Sequence, residues 1–209
     1  MVYDVTTPVG VFLEAAGARQ PAPGGGAATA LTGALAASMA EMVLNYSVNK
    51  KGLEHFQSEL KPALEAVKGY RKEFEQFMVE DQAAYSTVAA LRKLPADSAE
   101  RLEKWAPAVD AAIRVPQSML TCSVSLLEVC DNIINFVNTM LLSDLAVATD
   151  LAMATARCEI YNVRVNLPDL PDATSRNLAE VVINEQLLRA SKIIQHASPR
   201  IWERVRQSY

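Results

Sequence analysis

Residues Pro21 to Lys51 read PAPGGGAATALTGALAASMAEMVLNYSVNKK. Three glycines open a run of small and apolar residues that carries no charge until Glu41, and the stretch closes on an asparagine and two lysines. The uncharged part, Gln20 to Ala40, approaches the ~20 residues of a membrane span. Its first third is Pro and Gly, however, and the rest is mostly Ala, Gly, Ser and Thr, side chains that let a neighbouring helix approach closely in a soluble bundle as well as in lipid. A soluble helix is the better reading. The glycines lack the G-x-x-x-x-G-K-[ST] spacing and follow no strand, which excludes a P-loop and a dinucleotide-binding turn. Two readings remain for Gly24, Gly25 and Gly26. They form either a tight turn packed on a neighbour, or a backbone that approaches a ligand, with a helix N-terminus behind it that attracts an anion or a carbonyl oxygen.

Working outward, the remaining signals are also helical. Alternating β-branched and aromatic runs are missing. Thr7-Pro8 reads as an N-cap followed by Pro at the first helical position. The quoted stretch predicts a helix from about Gly26 to Val48. A third runs from about Leu53 to Arg92, with Pro62 breaking or kinking it near its start. Pro107 and Pro116 divide Ser98 to Val137 into two helices. Ser143 caps a helix reaching about Leu167, LPDLPDA is the turn that follows, and Ala173 to Gln207 completes the set with a break before Pro199. The expectation is all-α: one domain over residues 1–209, a bundle of long antiparallel helices.

Composition narrows the function. The 209 residues are ample for a core, and with half of them hydrophobic and a fifth charged the chain is not disordered. A net charge of −4 argues against nucleic acid as a partner. The start lacks a basic stretch with an apolar core, so no signal peptide is expected. Cys122, Cys130 and Cys158, odd in number and widely spaced, form no disulfide framework; buried small hydrophobes in a reducing cytoplasm is the reading. His55 and His196 have no partner at metal-ligand spacing, so no metal site is expected.

Three places break the apolar pattern. In the third helix Val67, Tyr70, Phe74, Phe77, Asp81, Ala84, Val88 and Leu91 follow a three-four spacing that marks one buried seam, and Asp81 sits in its middle. A carboxylate there is costly unless paired, and its pKa tends to rise. It either pairs with a buried base or caps a neighbour, or else it serves as a general acid or base or as an anchor for a cation. In the second helix Ser38, Glu41 and Asn45 share a face beside an apolar stripe of Leu31, Leu35, Met39 and Met42. Lys50 and Lys51 follow at the helix end, where the dipole favours cations without any ligand. Asp144 stands at a helix start, where a carboxylate is favoured in the same way. Asn162 and Asn166 are one turn apart on that helix. Asp144 and Asn162 share a face but stand about 27 Å apart if the helix is unbroken. They serve different ends of an elongated ligand, or different sites in an oligomer.

Ordered along the chain, these residues resemble the formiminotransferase-cyclodeaminase C-terminal family, which contains cyclodeaminase domains and free-standing methenyltetrahydrofolate cyclohydrolases. The motifs are PAPGGG with its small-residue helix, Asn45 and the lysines; DQAAY, Asp81 to Tyr85; Val115-Pro116 before a Cys-containing helix; Asn138 ahead of Ser143-Asp144; and NVRVN, Asn162 to Asn166. The resemblance runs from about Pro8 to Asn166 and continues weakly beyond.

The resemblance implies an all-helical homodimer acting on tetrahydrofolate-bound one-carbon units, with no cofactor beyond the folate substrate. The first expectation is hydrolytic ring opening of 5,10-methenyltetrahydrofolate to 10-formyltetrahydrofolate, because no formiminotransferase domain is attached. Formiminotetrahydrofolate cyclodeaminase, which releases ammonia, is the alternative; a non-catalytic folate-binding helical module is another. Either Asp81 or Asp144 would be the general base that activates water, the other stabilising the cationic methenyl bridge or binding the pterin amidine. Lys50 and Lys51 would hold the anionic benzoyl-glutamate tail. Asn45, Asn138, Asn162 and Asn166 would contribute neutral hydrogen bonds, and Gly24 to Gly26 would let the backbone approach the ligand.

Overall fold

The computed structural model describes residues 2–207. Six α-helices follow one another: α1 Val9–Gly17, α2 Gly25–Asn45, α3 Gln57–Arg92, α4 Ala99–Ile133, α5 Leu142–Arg164 and α6 Ala173–Gln207. Single 3-10 turns at Glu54–Phe56, Thr139–Leu141 and Leu167–Asp169 make the corners. Among the described residues there is no strand. Helix α2 packs against α3 and α5, α4 against the same two, and α6 closes over α4 and α5. Helices α2 and α3 run antiparallel: Glu41 of α2 bonds Arg71 of α3, while Gly26, at the other end of α2, faces Asp81.

The composition of α2 sets the spacing of the bundle. Its buried residues are Gly26, Ala27, Thr29, Ala30, Gly33, Ala34, Ala36, Ala37 and Ala40, and only then Val43 and Leu44. A Cβ on Gly33 would lie 2.5 Å from the ring of Phe74, which is 0% exposed, so the helix backbone itself is the floor on which that ring rests. By contrast, the stripe of larger residues points outward: Leu35 is 52% exposed, and Leu31, Met39 and Met42 are only partly covered. Small residues win the interior because they let α3 and α5 come close on two sides. Both Gly25–Asn45 and Thr139–Asp169 are long and apolar enough to cross a membrane. Here they bury their small-residue faces in protein.

The seam of α3 forms as its spacing predicts. Val67, Phe74, Ala84, Val88 and Leu91 are buried, with Tyr70, Phe77 and Asp81 partly so. Several expected boundaries are corrected. Pro62, Pro107, Pro116 and Pro199 all lie inside unbroken helices. An internal proline costs about 3 kcal/mol. Buried residues flank Pro62 (Leu60, Leu64), Pro116 (Ile113, Met119) and Pro199 (Ala197, Ile201) on both sides and hold the helix together across each, and Pro107 is followed by buried Ala108 and Val109. Pro8 is the N-cap of α1 rather than its first residue, and the Thr7 hydroxyl accepts from Asp4 N–H instead of capping. Ser143 lies within the first turn of α5, after the N-cap Leu141; Asn138 caps the preceding 3-10 turn through Met140 N–H. Helix α2 stops at Asn45, short of Val48, where Ser47 turns its hydroxyl back onto Val43 C=O. Cys122 and Cys130 are buried as expected, but Cys158 is exposed because it falls on the outer face of α5.

Gly33→Ala tests the α2–α3 contact. Displacing Phe74 should cost about 1–3 kcal/mol by overpacking, against about 1 kcal/mol gained in helix propensity. Urea unfolding is expected to show a net loss of stability at unchanged m-value.

Candidate active site

The sequence-selected residues separate into two groups at opposite ends of α2. At its N-terminal end Gly24, Gly25, Gly26, Asp81, Asn162 and Asn166 line a cavity of about 250 Å³, together with Gln82, Tyr85, Val88, Arg92 and Ala112. At the other end stand Asn45, Lys50, Lys51, Asn138 and Asp144, joined where Asn138 N–H donates to Ser47 Oγ at 2.9 Å. The 21 residues of α2 separate the groups by about 30 Å. Because α5 is unbroken from Leu142 to Arg164, Asp144 and Asn162 are about 27 Å apart along it. Asn45, Lys50 and Lys51 are exposed, Asp144 is partly covered and Asn138 is buried.

The glycines have separate jobs at the cavity. A side chain at Gly26 would collide with the Asp81 carboxylate, which rests directly on the bare Cα. A Cβ at Gly25 would come within 3.3 Å of Asn162 Oδ1. Gly24 is the N-cap of α2, and a Cβ there would meet only Pro21 O at 4.0 Å. Among the described residues Asp81 has no basic partner. Burial pushes its carboxyl above the usual range, and a hydrogen bond from Ala27 N–H, in the first turn of α2, opposes this. That combination keeps a proton acceptor available whose basicity exceeds that of a solvated aspartate.

The amides around it are oriented from behind. Asn166 Nδ2 donates to Ala112 O at 3.0 Å and to Asn162 O at 2.9 Å, so its remaining capacity is as an acceptor. Asn162 Nδ2 donates to Glu159 Oε2 at 3.1 Å. Gln82 grips the N-terminal segment, accepting from Tyr3 N–H and donating to Tyr3 O. The cavity therefore presents mainly acceptors, with Arg92 as the cation in its lining, paired to Asp169. Among the described residues no three His, Cys, Asp or Glu side chains converge as metal ligands.

Residues 8–185 match the family described as formiminotransferase-cyclodeaminase. The chain belongs to that family. It is 30% identical over 165 residues to a methenyltetrahydrofolate cyclohydrolase of Methylorubrum extorquens, covering 77% of this chain and 79% of the relative. It is 26% identical over 192 residues to a formimidoyltransferase-cyclodeaminase of Gallus gallus, and spans only 36% of that longer protein. The crystal structure of a formiminotetrahydrofolate cyclodeaminase from Thermotoga maritima superposes with a TM-score of 0.84 at 28% identity, covering 96% of each chain.

Glu159 and Arg92 were not selected from the sequence. Arg92 gave no signal, being one surface cation among many. Glu159 did give one: Leu145, Thr149, Ala152, Ala156, Glu159 and Val163 keep the three-four spacing of a buried stripe, all six are buried, and Glu159 breaks it as Asp81 breaks the seam of α3. Burial pushes the Glu159 carboxyl well above the usual range, and the Asp81 charge adds to this. A carboxyl raised on folding stabilises below the unfolded value of about 4.3 and loses that contribution as pH climbs through the folded value. Glu159→Gln, which cannot ionise, is thus expected to melt above the wild type at pH 7, with the gap closing toward pH 4 in a calorimetric pH series.

Proposed function

We propose that this chain hydrolyses 5,10-methenyltetrahydrofolate to 10-formyltetrahydrofolate, with Asp81 as the base. The observation that carries it is the unpaired, partly buried Asp81 carboxylate seated on Gly26 in an acceptor-lined cavity, in a chain 30% identical to a cyclohydrolase. Acceptors from Asp81, Asn162 and Asn166 suit a donor-rich pterin head and a cationic methenyl bridge. Asp81 removes a proton as water adds to the methenyl carbon, forming the C–O bond. It then returns that proton to N5 as the C–N5 bond breaks, and the hydroxyl proton leaves to solvent as the formyl C=O forms on N10. A carboxylate with a raised pKa is the better acceptor in the first step and the better donor in the second.

The cavity, at about 250 Å³, is small beside the ~300–1,000 Å³ of sites that enclose a drug-sized ligand. It takes part of a folate and leaves the rest outside. We place the remainder against a second copy of the chain. The outward faces of α2 and α5 are apolar, with Leu35 on one and Val147 (47% exposed) and Tyr161 (71% exposed) on the other. A two-fold copy packed on that face brings its own Lys50, Lys51 and Asp144 end toward this subunit's Asp81 cavity, since α2 runs the length of both ends. The two groups of site residues then belong to one site built from two subunits, with the lysines near the anionic tail.

Loss of methenyltetrahydrofolate absorbance above the spontaneous rate, abolished in folded D81N and in G26A, is the expected result. No acceleration by the wild type overturns the reading and directs the assay to ammonia release from formiminotetrahydrofolate, the activity named for the Thermotoga maritima relative. D81N and D144N, each inactive alone, should regain about a quarter of wild-type turnover when unfolded and refolded together, because half of the dimers are then mixed and each holds one intact site. Absence of complementation removes the shared site.

A further inference from the structure

Glu159 lies on α5 one turn before Asn162, behind the cavity wall. Its side chain is 0% exposed. Oε2 accepts from Asn162 Nδ2, while Oε1 has no hydrogen-bond partner among the described residues. Nothing about packing calls for an acid here, where the neighbouring stripe positions carry Ala152, Ala156 and Val163. The ionisable group that acts on it is Asp81 on α3, and no basic side chain offsets it. A buried acid without a counter-charge is unfavourable for folding, so its one hydrogen bond is where a function must be sought.

That bond decides what Asn162 offers. A carboxamide is donor at one end and acceptor at the other, and an Asn with no partner behind it turns either end to a ligand. With its NH2 held at the back by Glu159, the amide presents Oδ1 against Gly25, in the cavity wall. We propose that Glu159 is a positioning residue which locks Asn162 with its oxygen toward the cavity, so that the ligand atom met there is a hydrogen-bond donor. The inference rests on the reading of this cavity as a folate site. The donor is then either an O–H of the attacking water or a ring or exocyclic N–H of the pterin. Burial and the Asp81 charge both push the Glu159 carboxyl toward its neutral form, which accepts this bond without placing a second negative charge beside Asp81.

E159Q and E159L separate positioning from charge, because the Gln amide oxygen accepts the same bond and Leu accepts none. In E159Q, kcat/KM for methenyltetrahydrofolate should stay within about threefold of wild type, and in E159L it should fall at least about tenfold, the loss expected for one misdirected hydrogen bond in a buried site. A fall carried by kcat identifies the water as the donor, and a rise in KM identifies the pterin. Folded E159L with wild-type kcat and KM overturns the proposal, as does E159Q losing as much as E159L. If the wild type does not turn the substrate over, the proposed activity fails on its own. The same variants are then ranked by calorimetric binding of tetrahydrofolate, where equal affinities overturn the role of Glu159. Should E159L not fold, the Asn162 side-chain NH2 resonances of the wild type decide, since fast exchange with no hydrogen-bond shift refutes the lock.

Discussion

The close approach of α2 to its two neighbours is the constraint on which the rest of the structure depends. Where Gly33 meets the ring of Phe74 and Gly26 meets the carboxylate of Asp81, no side chain of α2 stands between backbone and partner. One is an apolar contact and the other a polar one, yet they arise the same way. Antiparallel α2 and α3 touch along a glycine- and alanine-lined strip, and whatever α3 projects there is pressed onto bare backbone. At the buried middle of the strip that residue is aromatic. At the end, where the first-turn N–H groups of α2 are free, it is a carboxylate.

That position accounts for the electrostatics of the cavity. Asp81 is held where water is mostly excluded, with a helix N-terminus in place of a positively charged side chain. A salt bridge would have drawn its pKa down and made it a poor base; a single backbone N–H leaves burial the larger effect. Behind it Glu159 adds a second carboxyl to the same low-dielectric region, where burial and the Asp81 charge both push its pKa up. Both donors of the Asn166 amide and one of Asn162 are committed elsewhere, which leaves the amide oxygens as the acceptors of that wall.

The two groups of candidate residues stand at opposite ends of the same long helices. Asp144 and Asn162 lie on α5 with its full length between them, and α2 separates the glycines from the lysines to the same degree. The motifs sit close together in sequence order, but the helices that carry them are rigid rods. A rod delivers residues to its two ends and leaves the apolar outer faces of α2 and α5 between those ends.

Much of this was legible in the sequence. Period and composition determined that the chain is helical, that α3 buries a seam with Asp81 in it, and that the small residues after the glycines mark a close contact, because these properties are local or repeat along one helix. The same spacing rule exposes Glu159 once applied to α5. What the tertiary structure decided is everything that depends on which rods lie side by side. The four internal prolines did not break helices, since burial of the residues beside them outweighed a local preference. Leu35 of α2 faced outward, since close approach favoured alanine within. Lys50, Lys51 and Asp144 stand far from Asp81, since distance across a bundle is set by helix length and direction, neither of which is written in any single motif.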